Sequence, residues 1–169
     1  MEVKKIYFDM DGVLADFDRG VREFCGMEPS PQGEGWYPGI DDPMWAKARQ
    51  VPHYYDRLYP IPGALEMLRT VYEKYGERCE ILTGIPKPKR GMIGAAEDKV
   101  KWMHRLFSED IVVNTVFREQ KPDYCTGRDC ILVDDFQKNI EEWEQEGGTG
   151  IVHTTPENTL RILKEMKLL

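Results

Sequence analysis

The sequence predicts a three-layer α/β domain of the Rossmann-like type, with a parallel sheet and a small helical cap inserted after the first strand. Three observations support this. Short apolar runs alternate with stretches of helical period, which is typical of parallel sheets. The runs lack strict alternation, as expected of strands covered on both faces. One segment of about 40 residues interrupts the alternation. The predicted core comprises residues 1–16 and 60–169, and the cap residues 17–59.

Five apolar runs are predicted to be strands, at residues 3–8, 79–83, 111–113, 130–133 and 150–153. Between them, apolar residues at helical spacing predict helices over 63–75 and 97–107. Pro62 and Gly76 punctuate the first of these helices. A third helix is expected after Thr155, which can cap it, with Pro156 at its first position.

The segment from residue 17 to residue 59 contains no convincing strand. It has two helical stretches, at 16–24 and 43–50, separated by the turn-rich sequence PSPQGEGWYPGIDDP. A connection of this length in a compact domain is usually a lid or a binding loop. Its candidate ligand contacts are aromatic residues and a histidine: Trp36, Tyr37, Trp45, His53, Tyr54 and Tyr55. We expect some of them to pack the cap on itself and others to face a ligand.

Composition restricts the function. The 169 residues include 23 Lys and Arg against 30 Asp and Glu, a net charge of −7, which argues against binding the nucleic-acid backbone. No apolar run approaches the length of about 20 residues that crosses a bilayer. Lys4 and Lys5 interrupt the N-terminal apolar stretch, so it does not resemble a signal peptide. We expect a soluble cytoplasmic protein. Cys125 and Cys130 lack the CxxC spacing of a zinc knuckle, and the four cysteines are expected to be free, partly buried thiols in a reducing compartment.

The strongest chemical feature is the sequence DMDGVLAD at the end of the first strand. Asp9 and Asp11 lie two positions apart, so they point to the same side, and Gly12 permits a sharp turn. Ligands of open α/β sheets bind beyond the carboxyl ends of the strands, where these acids are expected. A calcium loop is a poor alternative, because a strand precedes the acids and the glycine comes too early. The paired carboxylates favour a Mg²⁺ site.

A second acidic pair, Asp134 and Asp135, ends the apolar run ILVDD. Two strand-end pairs in one small domain would repel each other strongly without a cation. Only some of the four acids can be direct ligands, and Asp135 is either a ligand or a partner through water. Thr83 ends another strand, and its hydroxyl and the Gly84 amide can bind phosphate oxygens. Lys121 can balance the charge of phosphate and carboxylates.

The order Asp-x-Asp, Thr, Lys, Asp-Asp resembles the four motifs of the haloacid dehalogenase (HAD) superfamily of phosphohydrolases. The sequences DMDGVLADF and YYDRLYPIPGALEML, and residues 99–102, are similar to its 5′(3′)-deoxyribonucleotidase branch. The loop GIPKPKRG departs from that branch, and its basic residues 87–90 either steer an anionic substrate or form an ordinary solvated loop.

The resemblance implies that Asp9 is the nucleophile, forming an aspartyl-phosphate, and that Asp11 is the general acid and base. It further implies that Mg²⁺ is held by the Asp9 carboxylate, the Asp11 backbone carbonyl and the acids Asp134 and Asp135. Because members that hydrolyse C–Cl bonds replace the second aspartate, Asp11 favours phosphoryl chemistry.

The resemblance also implies that Thr83, the Gly84 amide and Lys121 hold the phosphoryl oxygens. Lys99 is either an added phosphate contact or part of a solvated helix face. Asp9 and Thr83 are 74 positions apart and leave room for a cap, whereas Lys121 and Asp134, 13 apart, do not. The cap at residues 17–59 is expected to close over the leaving group and set specificity.

The expected substrate is a deoxyribonucleoside monophosphate, with Trp36, Trp45 and Tyr54 as candidate contacts of the base. Another small phosphate ester is the alternative within the same chemistry. From a different class, a phosphoacceptor receiver domain has a similar residue set, but there the acidic pair precedes the threonine and lysine. A degenerate binding module is a further alternative. The oligomeric state is open, and a homodimer is compatible with the sequence.

Overall fold

The computed structural model describes residues 1–31 and 42–169. Its strands are β1 (Lys5–Phe8), β2 (Cys79–Gly84), β3 (Val113–Val116), β4 (Cys130–Asp134) and β5 (Thr149–Val152). Its α-helices are α1 (Phe17–Gly20), α2 (Pro43–Ala48), α3 (Ala64–Tyr75), α4 (Ala95–Leu106), α5 (Gln137–Gln145) and α6 (Pro156–Glu165). In the described part of the chain, no helix is both long and apolar enough to cross a membrane.

The five strands form one parallel sheet in the order β3-β2-β1-β4-β5. In this register Phe8, the last residue of β1, pairs with Ile81 of β2 and with Val133 of β4. The carboxyl ends of these three central strands therefore lie at the same edge of the sheet. The predicted site residues end these strands or follow them.

Helices cover both faces of the sheet. Ile6 and Phe8 pack in one cluster with buried residues of α3, α4 and α6, whereas Tyr7, between them, packs in a second cluster with α5. This alternation follows from the two-residue period of a strand. It confirms the predicted α/β architecture with a parallel sheet between helical layers.

Side-chain caps mark the starts of α6 and α2. Thr155 accepts a hydrogen bond from the Asn158 amide at the start of α6, and Pro156 is its first residue, as the sequence predicts. At the start of α2, the Asp42 carboxylate accepts a 2.8 Å hydrogen bond from the Met44 amide. Each cap satisfies one amide that the helix itself leaves without a partner.

Two elements differ from the sequence-based prediction. Strand β3 begins at Val113, where the predicted strand ends, and continues through the polar residues Asn114 and Thr115. β3 lies at the edge of the sheet, and there the Asn114 side chain donates a hydrogen bond to the Ile81 carbonyl. A polar residue is therefore tolerated in this strand. Helix α5 was not predicted, because its only large apolar residues are Ile140 and Trp143, both buried.

The segment between β1 and α3 leaves the core and returns to it through two neighbouring stretches of chain, which are hydrogen-bonded to each other. The Asp16 amide donates to the Tyr59 carbonyl at 2.8 Å, and the Ile61 amide donates to the Leu14 carbonyl, also at 2.8 Å. Among the described residues of the segment, the rings of Trp45, Tyr54 and Tyr55 pack against Phe17, with centroid distances of 5.8, 5.5 and 6.1 Å. Aromatic packing therefore holds this segment together.

Candidate active site

The end of β1 is a tight turn that brings Asp135 against the backbone of Gly12. The Asp9 amide continues the sheet by donating to the Val133 carbonyl at 2.9 Å, and the Gly12 amide closes the turn by donating to Ala15. Gly12 has a φ of +78°, and a Cβ there would lie 2.1 Å from Asp135 Oδ2. Only glycine satisfies both the backbone conformation and this close approach.

Lys121 lies between the first and second acidic pairs. It belongs to a 3₁₀ turn (Arg118–Tyr124) that follows β3, and its Nζ donates to Asp9 Oδ1 at 2.9 Å and to Asp134 Oδ2 at 2.7 Å. Burial alone would lower the pKa of Lys121, but the charges of Asp9 and Asp134 outweigh it and raise that pKa. Lys121 is therefore a buried cation that links two strands.

Asp134 is completely buried and fully hydrogen-bonded. Its Oδ1 accepts from the Phe136 amide at 2.9 Å, and its Oδ2 accepts from Asn139 at 3.0 Å as well as from Lys121. Burial raises the pKa of Asp134, and the charge of Asp9 raises it further, against the effect of Lys121. Sequence reasoning missed Asn139. Its position in the first turns of α5, directly after ILVDD, was the available signal.

The carboxylates of Asp9, Asp134 and Asp135 can hold a cation. One oxygen from each lies within 4.8 Å of the other two. Three carboxylates against the single ammonium group of Lys121 leave excess negative charge, and an all-oxygen donor set suits Mg²⁺. The donor set therefore fits a divalent cation that prefers oxygen ligands.

Asp11 is held by Lys99 of α4. Lys99 Nζ donates to Asp11 Oδ2 at 2.7 Å, whereas Asp11 Oδ1 is buried and has no hydrogen-bond partner among residues 1–31 and 42–169. Burial raises the pKa of Asp11, although the positive charge of Lys99 opposes the effect. A raised pKa favours the protonated form that a general acid requires.

Thr83 and Gly84 end β2 beside the same lysine. The Thr83 side chain is fully buried, and its hydroxyl accepts from Lys99 Nζ at 2.9 Å, while the Gly84 carbonyl accepts at 2.8 Å. Lys99 itself has no exposed surface. The alternative of a solvated helix face for Lys99 is therefore wrong. The structure brings Thr83, Lys99 and Asp11 together on one side of the site.

The candidate base contacts lie in different places. Tyr54 is buried in the aromatic cluster, and its hydroxyl donates to the Phe17 carbonyl at 3.2 Å. Trp45 packs against Phe17 with ring centroids 5.8 Å apart. Trp36 and Tyr37 lie outside the described residues. Tyr55, which the sequence analysis names among the aromatic candidates of the cap but not as a base contact, has its ring centroid 4.6 Å from Lys99 Nζ.

The basic loop after β2 contacts two other parts of the described chain. Lys87 pairs with Glu119 at 2.6 Å, and the Arg90 guanidinium lies 5.7 Å from the centre of the Trp45 ring. The loop therefore contacts both the 3₁₀ turn that carries Lys121 and the segment that carries Trp45. The cysteines are free, as predicted: Cys125 is half-buried and the other three are buried.

The parallel sheet, with acids at the ends of its central strands, has the fold of HAD-family hydrolases. More narrowly, the chain belongs to the family described as 5′ nucleotidase, deoxy (pyrimidine), cytosolic type C, whose model matches residues 2–164. The protein is therefore a phosphoric monoester hydrolase of the 5′-nucleotidase type. None of the curated proteins compared with this chain matches its sequence.

Solved structures share the fold at low sequence identity. A HAD family hydrolase from Deinococcus radiodurans R1, with bound phosphate and sodium, has a TM-score of 0.56 and 15% identity over 99% of this chain and 97% of that one. A hydrolase from Streptococcus pneumoniae TIGR4 has a TM-score of 0.55 and 12% identity over 97% and 100% of the two chains. L-2-haloacid dehalogenase from Xanthobacter autotrophicus has a TM-score of 0.53 and 17% identity over 99% and 84%.

Proposed function

We propose that the protein is a Mg²⁺-dependent phosphomonoesterase that hydrolyses deoxyribonucleoside monophosphates through a phosphorylated Asp9. The observation that carries this proposal is the arrangement around Lys121. Its ammonium group lies 2.9 Å from Asp9 and 2.7 Å from Asp134, while Asp11 lies two residues away, at the same strand end, with one oxygen left unpaired among the described residues. The proposed nucleophile, proton donor and balancing cation therefore lie at the same end of the sheet.

The proposed reaction has two steps. In the first, an Asp9 carboxylate oxygen attacks phosphorus, the ester P–O bond breaks, and Asp11 gives its proton to the departing alcohol oxygen. In the second, water attacks the phosphorus of the aspartyl-phosphate, gives a proton to Asp11 and releases Asp9. Asp11 thus returns to its protonated form, and each turnover consumes one water.

The phosphoryl oxygens need positive charge and hydrogen-bond donors. We assign this role to Lys121, the Thr83 hydroxyl and the Gly84 amide. Asp9, Asp134 and Asp135, with the Asp11 backbone carbonyl, would hold Mg²⁺, which offsets the negative charge of phosphate and carboxylates when bound. Asn139 and the Phe136 amide, which both donate to Asp134, would keep that carboxylate in place.

The segment of residues 17–59 is proposed to be a cap that sets specificity for the leaving group. A pocket between this segment and the start of α4 is lined, among others, by Arg49, His53, Tyr55, Met92 and Asp98. Since the Tyr55 ring also lies 4.6 Å from Lys99 Nζ, the pocket adjoins the acid–base side of the site. The family description names deoxy and pyrimidine 5′ nucleotidases, which supports a nucleoside as the leaving group.

A substrate panel tests the proposal. Purified protein is assayed with Mg²⁺ against 5′- and 3′-deoxynucleotides, ribonucleotides and sugar phosphates, with Asp9→Asn as the inactive control. We expect Mg²⁺-dependent release of phosphate, highest from deoxynucleotides. Preference for sugar phosphates would support the alternative of another small phosphate ester. Trp45→Ala and Tyr54→Ala test the base contacts, which are refuted if turnover of all nucleotides is unchanged.

A further inference from the structure

Lys99 uses all of its hydrogen-bonding capacity within the protein. An ammonium group has three N–H donors and no acceptor. Lys99 Nζ has three acceptors at short distance: Asp11 Oδ2 at 2.7 Å, the Gly84 carbonyl at 2.8 Å and Thr83 Oγ1 at 2.9 Å. No N–H of Lys99 is left over for a phosphoryl oxygen in this arrangement.

The surroundings of Lys99 also shield its ammonium group. The side chain has no exposed surface, and the Tyr55 ring lies 4.6 Å from Nζ, so it covers the ammonium group with an aromatic face. Such a buried ammonium group is fixed by its hydrogen-bond acceptors, and it fixes the positions of those acceptors in turn. A residue that binds substrate phosphate would instead present a free donor toward the ligand.

The interaction with Asp11 is asymmetric. Lys99 binds only Oδ2, and Oδ1 is buried without a hydrogen-bond partner in the described part of the chain. A buried oxygen without a partner costs free energy, so such an oxygen at a candidate active site suggests a partner that arrives with the substrate. The Asp11 side chain retains 26% exposure, which its atoms other than Oδ1 provide.

We propose that Lys99 is a positioning residue for the general acid rather than a phosphate ligand: it fixes Asp11 through Oδ2, ties it to Thr83, and leaves Oδ1 as the oxygen that transfers the proton. The proposal rests on the proposed function of Asp11. In the step concerned, the P–O bond to the leaving group breaks, its electron pair stays on the leaving oxygen, and the proton of Oδ1 is transferred to that oxygen.

Leaving-group dependence tests this role, because a poor leaving group needs the proton and a good one does not. Lys99→Met is compared with wild type by kcat/KM for a deoxynucleoside monophosphate and for p-nitrophenyl phosphate. We expect a loss of about 100-fold for the nucleotide and less than about 10-fold for the aryl ester. In an Asp11→Asn background, Lys99→Met is expected to add little further loss. Lys101→Met, an exposed position of α4, is the matched control.

Inhibition by inorganic phosphate separates the two roles further. If Lys99 acts only through Asp11, the inhibition constant of phosphate changes by less than about threefold in the variant. Equal losses for both esters, together with weaker phosphate inhibition, would overturn the proposal and restore a phosphate-binding role. If Lys99→Met does not fold, Lys99→Gln, which keeps a donor for Thr83, takes its place. A wild-type protein that hydrolyses neither ester contradicts the proposed function itself, and this inference with it.

Discussion

The Gly12→Ala substitution is expected to weaken metal binding. It should lower the free energy of unfolding by little more than an alanine at another glycine of positive φ. A Cβ at this position would lie 2.1 Å from Asp135 Oδ2 and 2.7 Å from its Cγ, where ordinary contact begins at 3.4 Å. The Asp135 carboxylate must therefore move by more than about 1 Å, or the turn must open. A displacement of that size within a catalytic site costs about 100-fold in rate.

The backbone contributes a separate penalty. Gly12 has a φ of +78°, where an alanine costs about 1–2 kcal/mol. Gly147 has a φ of +87°, and among the described residues no heavy atom beyond Gly147 and its two chain neighbours lies within 4 Å of a Cβ placed there. Gly147→Ala is thus a matched control, because it carries the backbone penalty without the contact with Asp135.

Two measurements separate these effects. Urea unfolding without metal is expected to show a loss of about 1–2 kcal/mol in both variants. Mg²⁺ titrations, followed by activity and by the metal-induced rise in melting temperature, are expected to show at least about tenfold weaker binding in Gly12→Ala only. An unchanged Mg²⁺ requirement in a folded Gly12→Ala protein would refute the reasoning.

Three further predictions follow from buried groups. Lys121→Met leaves two carboxylates without their cation and should lower the free energy of unfolding in metal-free urea titrations by about 3–5 kcal/mol; a loss under 1 kcal/mol would contradict this. Burial lowers the pKa of His153, so this histidine binds a proton less readily in the folded protein than in the unfolded chain. The free energy of unfolding should therefore fall as the pH drops below about 6.5, and it should fall less steeply in His153→Gln. Burial raises the pKa of Cys79 to about 12, so iodoacetamide at pH 8 should label the half-buried Cys125 first, as peptide mass spectrometry would show.

Much of the fold could be predicted because its signals are local. Apolar runs mark the central strands β1, β2 and β4, and caps such as Thr155 mark helix starts. The order of the acids, threonine and lysine along the chain, together with parallel pairing, places them at one edge of the sheet. By contrast, β3 lies at the sheet edge, where polar residues such as Asn114 are tolerated, so hydropathy located it poorly.

The environment of individual side chains could not be predicted. Lys99 has the sequence context of an exposed helix, and only tertiary packing against Tyr55 and β2 makes it fully buried. Likewise, nothing local distinguishes Tyr54, which turns into the aromatic cluster, from Tyr55, which lies against the site. Adjacent residues on a 3₁₀ turn point in different directions, and their surroundings come from distant parts of the chain.

The phosphorylation of Asp9 is the central claim, and trapping it is the most direct test. The enzyme is mixed with deoxynucleotide and Mg²⁺, quenched within one turnover, treated with hydroxylamine to convert acyl phosphates into hydroxamates, and digested for mass spectrometry. The account predicts a hydroxamate on Asp9 that is absent without substrate and absent in Asp9→Asn. Turnover with no modification at Asp9, or with the modification on Asp11 or Asp134, would contradict it.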